Sequence, residues 1–232
     1  MLTTIPKLKI LDVSATIGCN LSCKGCNHFS NYFAPGSKLD TDQLIRDIHT
    51  ILPRIDVERV SIIGGEPLLN PRCRDILHAC LEHKETVYLY TNGILLNEEN
   101  RQWIEEDLEK YPGMSLRVSI HTPEVIDNIK KVKSDKVLVT EHHDGKDRWF
   151  NSIKQSNGKV YPYAHNNIKQ SFELCSCPNT QLYNGRLWKC PNAAFLKELL
   201  YVTDQLEDDC WKSFVGDGLP VDCSDEDLVK FC

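Results

Sequence analysis

Ile10-Leu11-Asp12-Val13-Ser14-Ala15-Thr16-Ile17-Gly18-Cys19-Asn20-Leu21-Ser22-Cys23-Lys24-Gly25-Cys26 decides how this chain folds. Its first eight residues are largely apolar and β-branched, the composition of a strand. Three thiols follow within the next nine residues, on the loop that leaves the strand's C-terminal end. An odd number of cysteines cannot pair off internally, so a metal or iron–sulfur cluster explains them better than a disulfide. A four-iron cluster on three cysteines keeps one iron without a protein ligand, and that iron can bind a small molecule. A zinc site stays open on counting alone, because His28 offers a fourth ligand.

Outward from this stretch, strand-length apolar runs alternate with helix-period segments, the pattern of βα units on a parallel sheet. Strands are expected near Lys9–Thr16, Arg59–Ile63, Thr86–Tyr90, Ser115–Ile120, Lys136–Thr140 and Lys159–Tyr163. The first helix starts at an Asp40 or Thr41 cap and carries Leu44, Ile45, Ile48, Ile51 and Leu52 on one face. The second runs from Pro71 to His83, the third from Glu98 to Lys110, and a shorter fourth from Val125 to Val132. Six units are too few for a closed eight-stranded barrel. The expected fold is α/β, an open partial (β/α)6 barrel with a small cysteine-rich C-terminal extension, its ligand loops at the strands' C-terminal ends.

The chain has 232 residues, 41% of them hydrophobic and 26% charged, as in a soluble globular protein. No apolar run approaches the ~20 residues that span a bilayer, and no signal peptide opens the sequence. A cytoplasmic protein is expected. Eleven cysteines in a reducing compartment point to ligation rather than disulfides. A net charge of −6 gives no electrostatic footprint for nucleic-acid phosphates, and Lys130-Lys131-Val132-Lys133 reads as a solvated helix face.

Three more elements sit at strand ends. The second strand ends Ile62-Ile63-Gly64-Gly65-Glu66-Pro67, where paired glycines permit close backbone approach and Glu66 adds an acceptor. The third ends Leu89-Tyr90-Thr91-Asn92-Gly93. The fourth ends Val118-Ser119-Ile120-His121-Thr122, with His121 on the same strand face as Ser119. With C-x3-C-x2-C, these elements resemble the radical SAM superfamily over about residues 8–165. The resemblance implies a 4Fe-4S cluster on Cys19, Cys23 and Cys26. It implies S-adenosyl-L-methionine held by Gly64, Gly65, Glu66, Asn92 and Ser119, with Glu66 and its loop receiving the cofactor's ammonium and Ser119 reaching its ribose. Asn92 either bonds ligand or orders its loop. His121, His142 and His143 read as hydrogen-bonded structural histidines. In one departure, the position before the last cluster cysteine, often aromatic in the family, is Gly25, which leaves Phe29 or Tyr32 to provide an adenine surface. In another, no Gly-x-Ile-x-Gly-x-x-Glu element follows on the fifth strand.

Two modules are expected, a barrel core over residues 1–165 and a cysteine-rich module over 166–232. Asn184-Gly185 is a hairpin turn that would bring Cys175 or Cys177 across from Cys190. This spacing is similar to the opening of SPASM or twitch extensions, which implies a possible second iron–sulfur cluster drawing on Cys175, Cys177, Cys190, Cys210, Cys223 and Cys232. Zinc, or uncommitted thiols, are the alternatives there. Cys73 and Cys80 read as core residues.

The resemblance implies an enzyme that cleaves S-adenosylmethionine reductively and abstracts a substrate hydrogen through a 5′-deoxyadenosyl radical. The implied substrate is a peptide or a small metabolite, sugar or nucleotide, and the implied electron donor is a flavodoxin-type or ferredoxin-type reductant. An activating enzyme for a glycyl-radical partner, and a non-enzymatic zinc-binding module, are the alternative readings.

Overall fold

The computed structural model describes residues 5–37, 39–141, 153–163, 167, 169–170, 173, 175 and 179–232. Expectations for His142, His143 and Cys177 lie outside the described residues. An eight-stranded sheet runs in the order β10-β9-β8-β1-β2-β3-β4-β5. Its strands are β1 (Lys7–Thr16), β2 (Asp56–Gly64), β3 (Val87–Thr91), β4 (Met114–Ile120), β5 (Val137–Glu141), β8 (Asn179–Tyr183), β9 (Arg186–Trp188) and β10 (Leu219–Pro220). From β8 through β5 all five pairings are parallel, giving six parallel strands. No pairing between β5 and β10 closes the sheet among the described residues, so the α/β open partial barrel stands.

The sixth parallel strand is not the expected one. Lys159–Pro162 is a strand, β7, but it pairs antiparallel with β6 (Ile153–Ser156) in a separate hairpin. Asn157 and Gly158 between them both take positive φ, 50° and 77°. A two-residue turn of that kind closes a strand on its immediate neighbour. The place beside β1 goes to β8, whose Ile10↔Asn179 to Val13↔Leu182 register puts residues from the 166–232 stretch into the sheet. Asn184-Gly185 does form the expected hairpin, with φ of 50° and 70°, joining β8 to β9.

Helices α1 (Thr41–Ile51), α2 (Cys73–Leu81) and α3 (Glu98–Lys110) cover one face of the sheet, and a short α4 (Ile126–Lys130) follows β4. The Asp40 side chain accepts from the Gln43 amide and Asn97 from the Asn100 amide, satisfying donors that a helix start leaves free. Ile48, Ile76, Leu77 and Ile104 seal against Val13, Val60, Ile62 and Leu89. Cys73 and Cys80 belong to this core, and burial pushes both thiols far up. A second cluster, built on Phe29, Tyr183, Trp188, Phe195 and Trp211, packs helix α5 (Pro191–Val202) onto the β8 side. Arg54 fastens helix α6 (Asp225–Phe231), donating to the Val221 and Cys223 carbonyls at 2.7 and 2.6 Å and pairing with Asp225 at 2.9 Å.

Strand alternation gives the sheet a second, different face. Between the sealed residues stand Asp12 and Ser14 on β1, Arg59 and Ser61 on β2, Tyr88 on β3 and Arg117 on β4. Parallel strands covered on both faces ordinarily read as continuous apolar runs. The helix-free face of this one is polar.

Candidate functional site

The C-terminal ends of β1 to β4 open into one cavity of about 980 Å³. Cys19, Cys23, Cys26, Gly64, Gly65, Glu66, Asn92 and Ser119 all line it, although 100 residues separate the first from the last.

The glycines serve the meeting of two strand ends. A Cβ on Gly65 would stand 1.9 Å from the Gly18 carbonyl oxygen, and one on Gly64 2.3 Å from that of Thr16. Gly65 N donates to Thr16 O at 3.1 Å and Glu66 N to Gly18 O at 3.0 Å. The close approach read from the sequence is therefore first an approach to β1. It fixes the root of the cysteine loop on the end of β2.

Glu66 is wholly buried and its carboxylate orders the neighbouring loop. Oε1 accepts from Leu68 N at 3.1 Å and Thr91 Oγ1 at 2.8 Å, and Oε2 accepts from Asn92 N at 2.8 Å. A carboxylate has about four acceptor positions, so about one remains for a ligand. Burial pushes the Glu66 carboxyl up to about 7, against the pull of those donors.

Asn92 orders its loop and also lines the cavity. Its Nδ2 donates to Asn20 Oδ1 at 2.6 Å and lies 3.7 Å from Cys19 Sγ, and its Oδ1 accepts from Ile94 N. Leu21 N also donates to Cys19 Sγ, at 3.4 Å. His121 Nδ1 stands 3.8 Å from Cys23 Sγ, which places it against the cysteine loop as well as on the Ser119 face.

Burial raises the Cys19 thiol to about 11; the Leu21 amide opposes this, and Glu66, Cys26 and Cys23 add to it. Cys23 is raised too, by burial and by Cys26. Thiols held up in this way become thiolates when a positive centre compensates them, which is what a metal cluster provides. The donor atoms of Cys19, Cys23, Cys26 and His28 include no three within 4.8 Å of one another. One tetrahedral zinc draws its sulfurs to roughly 4 Å apart, whereas a cubane spreads them over separate corners. His28 instead bonds Asn27 Oδ1 at 2.7 Å and packs on Phe195, and burial lowers its imidazole to about 4. The three-thiol loop fits a cluster, and His28 is engaged elsewhere.

Gly25 takes φ 75°, a conformation an aromatic side chain at that place would resist. Neither suggested substitute lines the cavity. Phe29 is 3% exposed within the second core, and Tyr32 packs against that core. Tyr90, missed in the sequence, does line the cavity, as do Asp12 and Asn179. Strand alternation could have found Asp12 and Tyr90, which stand on the helix-free face of β1 and β3.

The tail cysteines form two pairs close enough for their charges to interact, Cys175 with Cys190 and Cys223 with Cys232. Cys210 is exposed. No three of the described tail thiols come within 4.8 Å. The described tail brings together pairs, not a four-thiolate set.

Comparison with known proteins bears on this cavity directly. Residues 13–140, more than half of the chain, match the family model of the radical SAM superfamily. A GTP 3′,8-cyclase from Aquifex aeolicus (strain VF5) is 32% identical over 119 residues, 50% of this chain and 36% of that protein. An AdoMet-dependent heme synthase from Methanosarcina barkeri is 33% identical over 119 residues, 51% and 32% of the two chains. Mycofactocin maturase MftC from Mycobacterium ulcerans is 37% identical over 84 residues, 36% and 22%. The chain thus spans about a third or less of the length of these curated relatives. The solved structure of BtrN in complex with AdoMet and 2-DOIA superposes with a TM-score of 0.51 at 18% identity, over 89% of this chain and 85% of that one. That likeness is one of fold. Among the described residues no helix is long and apolar enough to cross a membrane. Family model, strand order and cysteine loop agree: this chain belongs to the radical SAM superfamily of enzymes, whose membership implies a 4Fe-4S cluster and S-adenosylmethionine.

Proposed function

We propose that the chain is a radical SAM enzyme acting on a small substrate held in its barrel, with Cys19, Cys23 and Cys26 as cluster ligands. One observation carries this reading: eight residues from four strand ends line one cavity. When bound, the cluster and S-adenosylmethionine together supply a carbon radical that takes a hydrogen atom from the substrate. The chain's own residues position and shield. The cysteine loop is pinned to β3 by the Asn20–Asn92 bond and to β2 by the glycine crossing. The Gly64 and Gly65 backbone with the remaining acceptor position of Glu66 suits an ammonium, and Ser119 suits a ribose hydroxyl.

The donor N–H groups of Leu21 and Asn92 at Cys19 stabilise thiolate charge, one of the ways a protein adjusts cluster potential. A flavodoxin-type or ferredoxin-type reductant would deliver the electron. The relatives' names range over a GTP cyclase, a heme synthase and a mycofactocin maturase, so substrate class rests on the barrel lining instead. The test is anaerobic reconstitution, iron and sulfide quantitation, and detection of 5′-deoxyadenosine after adding dithionite and S-adenosylmethionine. The expected result is about four irons per chain and cofactor cleavage. Zinc without sulfide would refute the reading.

A further inference from the structure

The polar face also carries two arginines, further along the strands than the residues that line the cavity. Arg59 on β2 and Arg117 on β4 flank the Tyr88 ring, their guanidinium carbons 4.9 and 4.1 Å from its centroid. The Nε atoms of both are buried, with no hydrogen-bond partner among the described residues. Neither arginine has a carboxylate within 4.0 Å among those residues, unlike Arg74, which takes both oxygens of buried Asp107. Two like charges gathered on one ring, partly out of water, are unfavourable unless anions compensate them, and Asp12 lies near enough to interact with Arg59. A guanidinium's planar fork matches a carboxylate or phosphate, and its face is already stacked here.

The third group is Asp12, 2% exposed and lining the cavity. Its Oδ2 accepts from Asn179 Nδ2 at 2.7 Å, while Oδ1 is buried without a partner. An orphaned buried acceptor facing a cavity calls for a donor. Burial holds this carboxyl near 6, with Asn179, Ser61 and Arg59 pulling the other way. Arg117 lies two residues before cavity-lining Ser119 on the same strand face, about 7 Å deeper into the barrel.

We infer that Arg59, Tyr88 and Arg117 form an oxyanion seat in the barrel floor, anchoring the carboxylate or phosphate of a small substrate while Asp12 accepts a hydrogen bond from its hydroxyl, amine or amide. A substrate anchored there would point its body up toward the cysteine loop. Identifying the bound molecule as substrate rests on the proposed function; the oxyanion affinity does not.

Calorimetric titration of the reconstituted protein with pyrophosphate and, separately, succinate tests the seat. One saturable site is expected for at least one probe, and the tighter probe shows which oxyanion the seat takes. Arg59→Gln and Arg117→Gln should each weaken that binding at least tenfold, roughly the loss of one charge-assisted contact. Arg46→Gln, on the exposed side of α1, should leave it unchanged. Arg117→Lys, which keeps the charge without the fork, guards against misfolding and should fall between. In parallel, the thermal midpoint of the wild type should rise by roughly 3–6 °C at probe ten times its Kd, a rise the arginine variants lose. Equal affinities across wild type and variants, or no saturable uptake of either probe, overturn the seat. A protein that forms 5′-deoxyadenosine yet binds neither probe refutes the seat alone. Arginine-dependent binding without cofactor cleavage supports the seat and refutes the cofactor reading alone.

Discussion

Val60, Ile62, Leu116 and Val118 are sealed against helices, while Ser61, Arg117 and Ser119, one position away on the same two strands, stand in the barrel. The two faces follow different rules. The outer one is largely apolar and supplies the fold. The inner one keeps a carboxylate, two guanidinium groups and hydroxyls where an apolar lining would be more stable. A sheet that carries such a lining has been shaped on that side for a ligand.

Several substitutions would break or sharpen this contrast. The largest effect belongs at the mouth of the inner face. Cys23→Ala should drop reconstituted iron and abolish 5′-deoxyadenosine formation, measured by iron assay and chromatography, with the circular dichroism of the fold retained. Next comes a pair of neighbours on β2. Ile62→Ala should cost about 2–5 kcal/mol in urea unfolding. Ser61→Ala, which removes one buried hydroxyl beside Asp12 and little volume, should cost no more than about 1 kcal/mol. Equal costs for the two would end the two-face account.

Asp12→Asn gives a pH-dependent effect. Burial raises the Asp12 carboxyl from 3.8 to about 6, so the folded state holds a proton that the unfolded chain releases. The stability that this proton contributes is complete below pH 4 and lost as pH rises through 6. Asparagine cannot lose that proton. Measured against wild type, the variant should gain up to ~3 kcal/mol between pH 4 and pH 7.5, and a flat difference would contradict the burial argument. A modest effect is expected on the helix side. Asp47 of α1 accepts from the Gly185 amide of the β8–β9 turn at 3.0 Å and from Gln43 Nε2 at 2.7 Å. Asp47→Ala should cost about 1–2 kcal/mol while leaving iron content unchanged.

Much of this was legible in the residues. Apolar runs of strand length mark β1 to β5, and helix-period faces with their end signals mark the helices, α3 spanning the expected Glu98–Lys110. The cysteine loop and the strand-end motifs converge as their order implies. What stayed hidden depends on long-range pairing. Asn179-Thr180-Gln181-Leu182-Tyr183 is too polar to read as a central strand, yet it pairs with β1, with Asn179 and Gln181 on the Asp12 face. Asn157-Gly158 carries the same turn signal as Asn184-Gly185, and it closes β6 on β7 where a sixth barrel strand is expected. Glu66 and Asn92 look like ligand groups in sequence. Their bonds to the neighbouring loops become visible only once β1, β2 and β3 stand side by side.

Electron paramagnetic resonance of the anaerobically reconstituted, reduced protein, recorded with and without S-adenosylmethionine, tests the vacant iron most directly. A four-iron signal whose g-values shift when the cofactor is added is the outcome expected from three cysteine ligands and one open corner. A spectrum that the cofactor leaves untouched, or a reconstituted protein with no paramagnetic signal on reduction, would contradict it.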